Sequence, residues 1–311
     1  MSVGIVISEF MDDAAVESLR ARFAVRYEPG LVEDRAALLA AVGEAHALIV
    51  RNRTRVDAAL LERAPALRVV GRLGVGLDNI DMAACEGRGI AVFPATGANA
   101  IAVAEHVICS AMMLLRGAWQ ASTNVAAGEW PRTALSSGRE IHGKTLGLVG
   151  FGGIGQLAAM RGRALGMQVV ASDPALAADL PLWREQGVEP LTLEGLLAVA
   201  DVVSLHVPFT AATRHLIDAA RLGAMKPQAV LINTSRGGIV DEAALAAALR
   251  DGRLAGAAID VFEQEPLPAG SALADAPNLF LTPHIAGVTA ESNQRVSTMI
   301  ADRVTRFLVA A

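Results

Sequence analysis

A histidine, a glutamate and an arginine stand in three separate segments of this 311-residue chain, each just past a short apolar run. They are Arg236 in Ile-Asn-Thr-Ser-Arg-Gly-Gly, Glu265 in Asp-Val-Phe-Glu-Gln-Glu-Pro-Leu, and His284 in Thr-Pro-His-Ile-Ala-Gly. An imidazole titrates near neutral pH, so it can exchange a proton with an oxygen whose charge changes during a reaction. A carboxylate beside it fixes the ring and favours its protonated form. A guanidinium offers a forked pair of donors to a carboxylate and a keto oxygen. Singly, each residue also has a structural reading: a lone histidine, a surface carboxylate, a salt-bridge arginine. Together they suit acid–base chemistry on an anionic hydroxy or keto compound.

A second constellation lies upstream. Gly150, Phe151, Gly152, Gly153, Ile154 and Gly155 follow an apolar run at 145–149 and open a helical pattern over 154–165 that Gly166 ends. Glycine at the first position allows a tight turn, at the second admits a pyrophosphate to the backbone, and at the third lets helix pack on strand. The helix N-terminus then offers N–H groups to the phosphates. Asp173 comes 18 residues after Gly155, where a carboxylate can accept both ribose hydroxyls of NAD. Pro174 follows it, with no arginine next in line to receive a 2′-phosphate, so NAD is favoured over NADP. Gly74, Val75 and Gly76 form a similar loop, but Asn79 occupies the third glycine position. That loop reads as a different anion cradle.

The elements that must position these groups alternate. Strands are expected at 3–7, 24–27, 47–51, 68–73 and 90–93, with helices at 12–23 (Asp12 as N-cap), 32–44, 56–63 and 82–88. One Ala-rich helix, stopped by Gly128 and Pro131, is expected from Asn99 to about 127; at 1.5 Å per residue it would run roughly 40 Å and could bridge two domains. Strands resume at 145–150, 167–172, 202–207, 229–233, 257–261 and 280–281, and a last amphipathic helix covers 290–309. Strands joined by helical crossovers mean parallel sheets covered on both faces, with ligands beyond the carboxyl ends of the strands. The expected fold is α/β: two doubly wound parallel-sheet domains, a Rossmann cofactor domain (100–284) inserted in a flavodoxin-like substrate domain (1–99 and 285–311).

With these segments in order, the sequence resembles the D-isomer-specific 2-hydroxyacid dehydrogenase family, in particular its 3-phosphoglycerate dehydrogenase-like branch. The resemblance covers nearly the whole chain and includes Gly-Arg-Leu-Gly-Val-Gly-Leu-Asp-Asn-Ile-Asp at 71–81 and Thr-Gly-Ala-Asn-Ala-Ile-Ala-Val-Ala-Glu-His at 96–106. It implies an NAD-dependent enzyme that moves a hydride between nicotinamide and C2 of a D-configured 2-hydroxy acid. Arg236, Glu265 and His284 match the family's catalytic set. The backbone amides of Val75 and Gly76 match its carboxylate site, with Arg51, Asn52, Arg53 and Asn99 near the rest of the substrate. His206, Val207, Pro208, Thr213, Thr234, Asp260 and Gly287 match its cofactor contacts, although His206 also reads as strand-end packing. Many relatives carry arginine at the Gly153 position and glycine at the Ala286 position. The missing arginine leaves the pyrophosphate to backbone amides and predicts weaker cofactor binding.

Composition sets the outer bounds. Apolar residues make up 53% of the chain and charged ones 19%, enough for large cores and incompatible with a disordered or fibrous chain. A net charge of −5 argues against a broad nucleic-acid-binding surface. Of the basic residues only Lys144 and Lys226 are lysine. Arg51, Arg53 and Arg72 together suggest a second anion on the substrate, for which 3-phosphoglycerate is the family default. (S)-Sulfolactate, with the spatial arrangement of a D-2-hydroxy acid, and the uncharged-tail option of glyoxylate or hydroxypyruvate stay open. The chain stops soon after the last helix, where longer phosphoglycerate dehydrogenases continue into regulatory domains. An NAD-sensing, co-repressor-like protein is the rival of a different class. Two cysteines without a CxxC, no signal peptide and no apolar run of about 18 residues point to a cytoplasmic protein without a membrane span. His46, His106, His142 and His215 show no metal-ligand spacing, so no metal is expected. Trp119 and Trp130 read as packing, Arg132 and Arg139 as solvent-exposed loop residues. Relatives are commonly homodimers through the cofactor domain.

Overall fold

Short runs of apolar residues, each followed by a helix, favour parallel pairing with both faces covered. A computed structural model describes residues 4–310, so Val3 at the start of the first expected strand lies outside the described residues. The chain divides into two compact units: residues up to Asn99 with those from Val288 onward, and Ala100–Gly287.

In the first unit, β1 (Gly4–Ile7), β2 (Ala24–Tyr27), β3 (Ala47–Val50), β4 (Val69–Arg72) and β5 (Ala91–Pro94) form an all-parallel sheet in the order β2-β1-β3-β4-β5. That is the flavodoxin-like order. The crossovers are α1 (Asp13–Arg20), α2 (Arg35–Ala41), α3 (Ala58–Glu62) and α4 (Met82–Gly87). The C-terminal helix Ala290–Ala310 packs on β4 and β5 and buries the expected stripe of Val296, Ile300, Val304 and Leu308. Gly71 lets it close in, since a side chain there would meet Ile300 at 2.6 Å.

The second unit holds α5 (Ala100–Arg116), α6 (Ala121–Ala126), β6 (Thr145–Val149), α7 (Gly153–Ala164), β7 (Gln168–Ser172), α8 (Pro181–Gln186), β8 (Glu189–Pro190) and α9 (Leu193–Val199). It continues with β9 (Val202–Leu205), α10 (Ala219–Ala224), β10 (Val230–Asn233), α11 (Glu242–Arg250), β11 (Gly256–Ile259) and β12 (Leu279–Leu281). The strands are all parallel in the order β12-β11-β10-β9-β6-β7-β8, a Rossmann arrangement whose direction reverses between β6 and β9. Ligand-binding loops belong at that switch point, on the carboxyl side.

The structure corrects several expected boundaries. The single helix over 99–127 is two helices. Gly117 adopts a left-handed φ of +64°, and α5 and the segment Ala118–Ala126 meet at 79°. Alanine propensity carried the expected helix across a glycine that here caps it. Asp12 makes no side-chain cap, whereas Asp34 and Asp57 do, accepting from Ala37 and Leu60, so the second and third helices start later than expected. The helix expected over 32–44 is flanked by 3-10 turns at Pro29–Val32 and Val42–Glu44. Among the described residues no single helix is long and apolar enough to cross a membrane.

Candidate active site

β6 delivers the chain to Gly150, which turns with φ +96° and would place a side chain 2.6 Å from the carbonyl oxygen of His206. Only glycine fits. Gly155 approaches the Gly150 carbonyl as closely, which seats α7 against β6. Gly152 and Gly153 are the opposite case, because a Cβ added there meets nothing within 4 Å. Open space therefore adjoins the first turn of α7, whose N–H groups suit an anion.

Asp173, one residue past β7, accepts the Phe151 N–H at 2.8 Å and the Ala175 N–H at 3.0 Å. It docks on the glycine loop while both oxygens keep lone pairs for hydroxyl donors. His206 and Val207 follow β9, and Thr213 donates to the Pro208 carbonyl at 2.7 Å, which ties that loop into a turn. His206 Nε2 and Thr234 Oγ1 are buried without a partner among the described residues. Burial pushes the His206 imidazole down to about 4, so it is neutral at physiological pH. Orphaned polar atoms are costly unless a ligand completes them. Open space at the glycines, an acid past β7 and two orphaned atoms past β9 and β10 fit a dinucleotide.

The three chemical residues come together past the ends of β10, β11 and β12. His284 Nδ1 meets Glu265 Oε2 at 2.8 Å, and Glu265 Oε1 accepts the Phe262 N–H at 3.1 Å. Burial pushes the Glu265 carboxyl up. The hydrogen bond and charge of His284, the Phe262 amide and the charge of Arg236 outweigh that and leave it below its ordinary value. Arg236 is braced by its own loop: Nη1 donates to the Ser235 carbonyl at 2.6 Å and Asn233 Nδ2 to the Arg236 carbonyl at 3.0 Å. His284 sits at a left-handed φ of +55°. Asp260, expected among the cofactor contacts, instead turns its buried carboxylate to the chain, accepting from Thr282 Oγ1 and from the amides of Ile285 and Ala286. Gly287, another expected cofactor contact, follows directly as the last residue of this unit.

The first unit carries the expected substrate loops. Val75 is exposed and Gly76 half-buried beyond β4. Arg72 donates to the carbonyls of Gly76 and Leu73 at 2.7 and 2.9 Å and buttresses this loop. Arg51 reaches Asn293 Oδ1 at 2.8 Å and lies over the Phe10 ring at 5.9 Å, while Arg53 pairs with Glu33 at 2.6 Å. The three arginines expected to converge on one anion thus have separate partners. Asn52 is exposed, and Asn99 Oδ1 is buried without a partner among the described residues. Sequence reasoning missed Glu9, Asn79 and Asn293. Glu9 alone left a signal, as a charged residue directly past an apolar strand.

Other expectations resolve simply. His106 stacks on Phe280 and is pushed down by burial, with Asp260 opposing. Trp119 packs edge-on against Phe280 at 5.5 Å, but Trp130 is 77% exposed and does not serve as packing. Arg132 is exposed, while Arg139 is half-buried, against expectation. Among the described residues no group of three or more His, Cys, Asp or Glu is disposed to hold a metal ion.

A family model described as "D-isomer specific 2-hydroxyacid dehydrogenase, NAD binding domain" matches residues 108–286. Over 305 residues, 98% of both chains, the sequence is 57% identical to the (S)-sulfolactate dehydrogenase of Chromohalobacter salexigens. It is 42% identical over 301 residues to the D-3-phosphoglycerate dehydrogenase of Mycobacterium leprae, covering 96% of this chain and 56% of that protein. The chain thus spans about half the length of that relative. The TT0316 protein of Thermus thermophilus superposes with a TM-score of 0.90 at 36% identity, covering 99% of this chain and 97% of that one.

Proposed function

The chain belongs to the D-isomer specific 2-hydroxyacid dehydrogenase family, and from that premise we propose that it interconverts (S)-sulfolactate and its 2-keto acid. It is an NAD-dependent oxidoreductase of that family. The observation that carries the reaction is the 2.8 Å pairing of Glu265 with His284 Nδ1, which leaves Nε2 to exchange a proton with substrate. In oxidation His284 takes the hydroxyl proton as the C2–O bond becomes a carbonyl, and in reduction it returns that proton. Glu265 holds the ring and balances the imidazolium. Arg236 grips the substrate carboxylate and keto oxygen, with the Val75 and Gly76 amides as further donors. Arg51, Asn52 and Arg53 serve the distal anion, Arg51 and Arg53 giving up Asn293 and Glu33 for it, and Asn99 lends a polar group. Gly150, Gly152, Gly153, Ile154 and Gly155 would hold the cofactor's pyrophosphate, Asp173 its ribose. His206, Val207, Pro208, Thr213, Thr234 and Gly287 would line the rest. When bound, NAD supplies the hydride acceptor.

The substrate rests on the 57% identity over nearly all of both chains, which favours it over the 3-phosphoglycerate expected from the sequence. A screen of NAD reduction on (S)-sulfolactate, 3-phosphoglycerate, D-lactate and D-glycerate tests it. Fastest turnover per KM is expected on sulfolactate. A preference for 3-phosphoglycerate overturns the substrate, and NAD binding without any turnover favours the sensing rival.

A homodimer and a cytoplasmic site complete the reading. Between α5 and α7 lies an open, largely apolar depression of about 620 Å³, lined by Ile108, Met112, Met113 and Leu165 with Glu105 and Arg161. A second copy covering this face would bury it. Met112→Glu should then raise the monomer fraction in sedimentation equilibrium. Cys85 and Cys109 are both free thiols, which suits a reducing compartment.

A further inference from the structure

Glu9 stands just past β1, only 5% exposed, and no step above uses it. Its Oε1 accepts the backbone N–H of Arg51 at 2.8 Å and of Thr54 at 2.9 Å, and its Oε2 accepts that of Arg53 at 3.2 Å. One distant side chain thus collects three amides of a single turn. The carbonyl side of the same turn is held by Asn79, whose Nδ2 donates to Arg51 at 3.1 Å and to Thr54 at 2.6 Å. Asn79 belongs to the loop that carries Val75 and Gly76, and its own carbonyl accepts the Val56 N–H at 2.9 Å. Ser8 and Thr54 close the arrangement with a hydroxyl–hydroxyl bond at 2.9 Å.

Burying a carboxylate is expensive, and a fold that needed only packing here would use an apolar residue. What a carboxylate can do, and an amide cannot, is accept on both oxygens. Gln at this position could serve Arg51 and Thr54 but would point an NH₂ at the Arg53 amide. The amides also blunt the negative charge beside a loop meant for an anion. Burial pushes the Arg51 guanidinium down, and the Glu9 charge draws it back up.

We propose that Glu9, with Asn79 opposite it, is a positioning residue that sets the 51–54 turn so that Arg51, Asn52 and Arg53 meet the distal anion of the substrate. The proposal rests on the reading of that turn as the distal-anion site. Glu9 then governs selectivity for acids that carry such an anion, without touching them.

Steady-state kinetics of wild type, Glu9→Gln and Asn79→Ala on (S)-sulfolactate and D-lactate, with saturating NAD, separate positioning from bulk stability. In both variants the KM for sulfolactate should rise about tenfold, the loss of a charge-assisted hydrogen bond, with kcat and the constants for D-lactate within about twofold. Equal losses on both acids, or an unchanged sulfolactate KM, overturn the proposal. Hydrogen exchange tests the clamp whatever the substrate proves to be: the amides of Arg51, Arg53 and Thr54 should be slow in wild type and at least about tenfold faster in Glu9→Gln. If Glu9→Gln does not fold, Asn79→Ala and the wild-type exchange carry the decision. Fast exchange of these amides in wild type refutes the clamp. Slow exchange with no turnover of sulfolactate condemns the substrate assignment instead.

Discussion

The backbone N–H of His284 donates to the carbonyl oxygen of Asp260 at 2.8 Å, and the next two amides donate to the Asp260 carboxylate, also at 2.8 Å. His284 pays for its left-handed φ of +55° with roughly 1–3 kcal/mol of backbone strain, and a buried acid at the end of β11 over-determines that shape. Asp260→Asn keeps the size but turns an NH₂ toward a donor. The variant should lose roughly 2–4 kcal/mol of stability, and kcat should fall at least about tenfold with NAD affinity within about twofold. Thermal unfolding and NAD titration check both parts. An unchanged kcat would mean that the loop holds His284 without Asp260.

Glu265 makes a pH-dependent prediction. Its carboxyl lies below the ordinary 4.5 because its bonds and neighbouring charges outweigh its burial. A carboxyl lowered in the folded state contributes stability above the unfolded pKa and loses it as pH falls through the folded value. Glu265→Gln should therefore unfold with a shallower pH dependence below about 4.5 than wild type. The same variant deprives the His284 imidazolium of its counter-charge. Reduction of the keto acid should slow on the order of tenfold or more. A reduction rate equal to that of wild type would remove Glu265 from the mechanism.

The strands and their parallel sense were legible because apolar runs of four or five residues alternate with helical crossovers, whereas the order of the strands was not. The glycine turn was legible because steric need is local: Gly150 and Gly155 are glycine for contacts within their own βα unit or at the neighbouring strand end. Arg236, Glu265 and His284 could be picked out by residue type at strand ends. Other features were not legible, for physical reasons. The break at Gly117 competes with strong alanine propensity on both sides, and only the packed fold decides between a tolerated glycine and a cap. The partners of Arg51, Arg53 and Arg72 are Asn293, Glu33 and backbone carbonyls, and no spacing rule links them. Asn79 acts through carbonyls, which are the same at every position and leave no mark on sequence, whereas Glu9 shows itself only as a charge just past an apolar strand, with the amides it collects unmarked.

His206 should make the apo protein acid-sensitive. The residue is half-buried, yet Nε2 is sealed without a partner among the described residues, and burial lowers the imidazole from 6.5 to about 4. Between those values the unfolded chain binds a proton that the folded chain refuses, so stability falls as pH drops from 6.5 toward 4. The loss should amount to roughly 3 kcal/mol and level off below the lower value. His206→Gln should be flatter over that window in urea denaturation of the cofactor-free protein. Parallel curves for variant and wild type would show that the ring gains a partner or water in solution.

Gly153 opens the first turn of α7, and a side chain added there meets nothing within 4 Å. The phosphate-binding turn therefore offers amides and a helix N-terminus but no fixed cation at this position. An arginine here would extend into open space and add a guanidinium to the pyrophosphate, while raising the local helix propensity above that of glycine. Gly153→Arg should tighten NAD binding about three- to tenfold, a gain of roughly 1 kcal/mol, with kcat on the hydroxy acid unchanged or lowered if cofactor release becomes limiting. The gain should shrink with added salt, because it comes from a partly exposed charge. Fluorescence titration with NADH at low and high ionic strength measures both effects. A dissociation constant that stays the same or rises would mean that the backbone already satisfies the pyrophosphate and that the glycine carries no penalty.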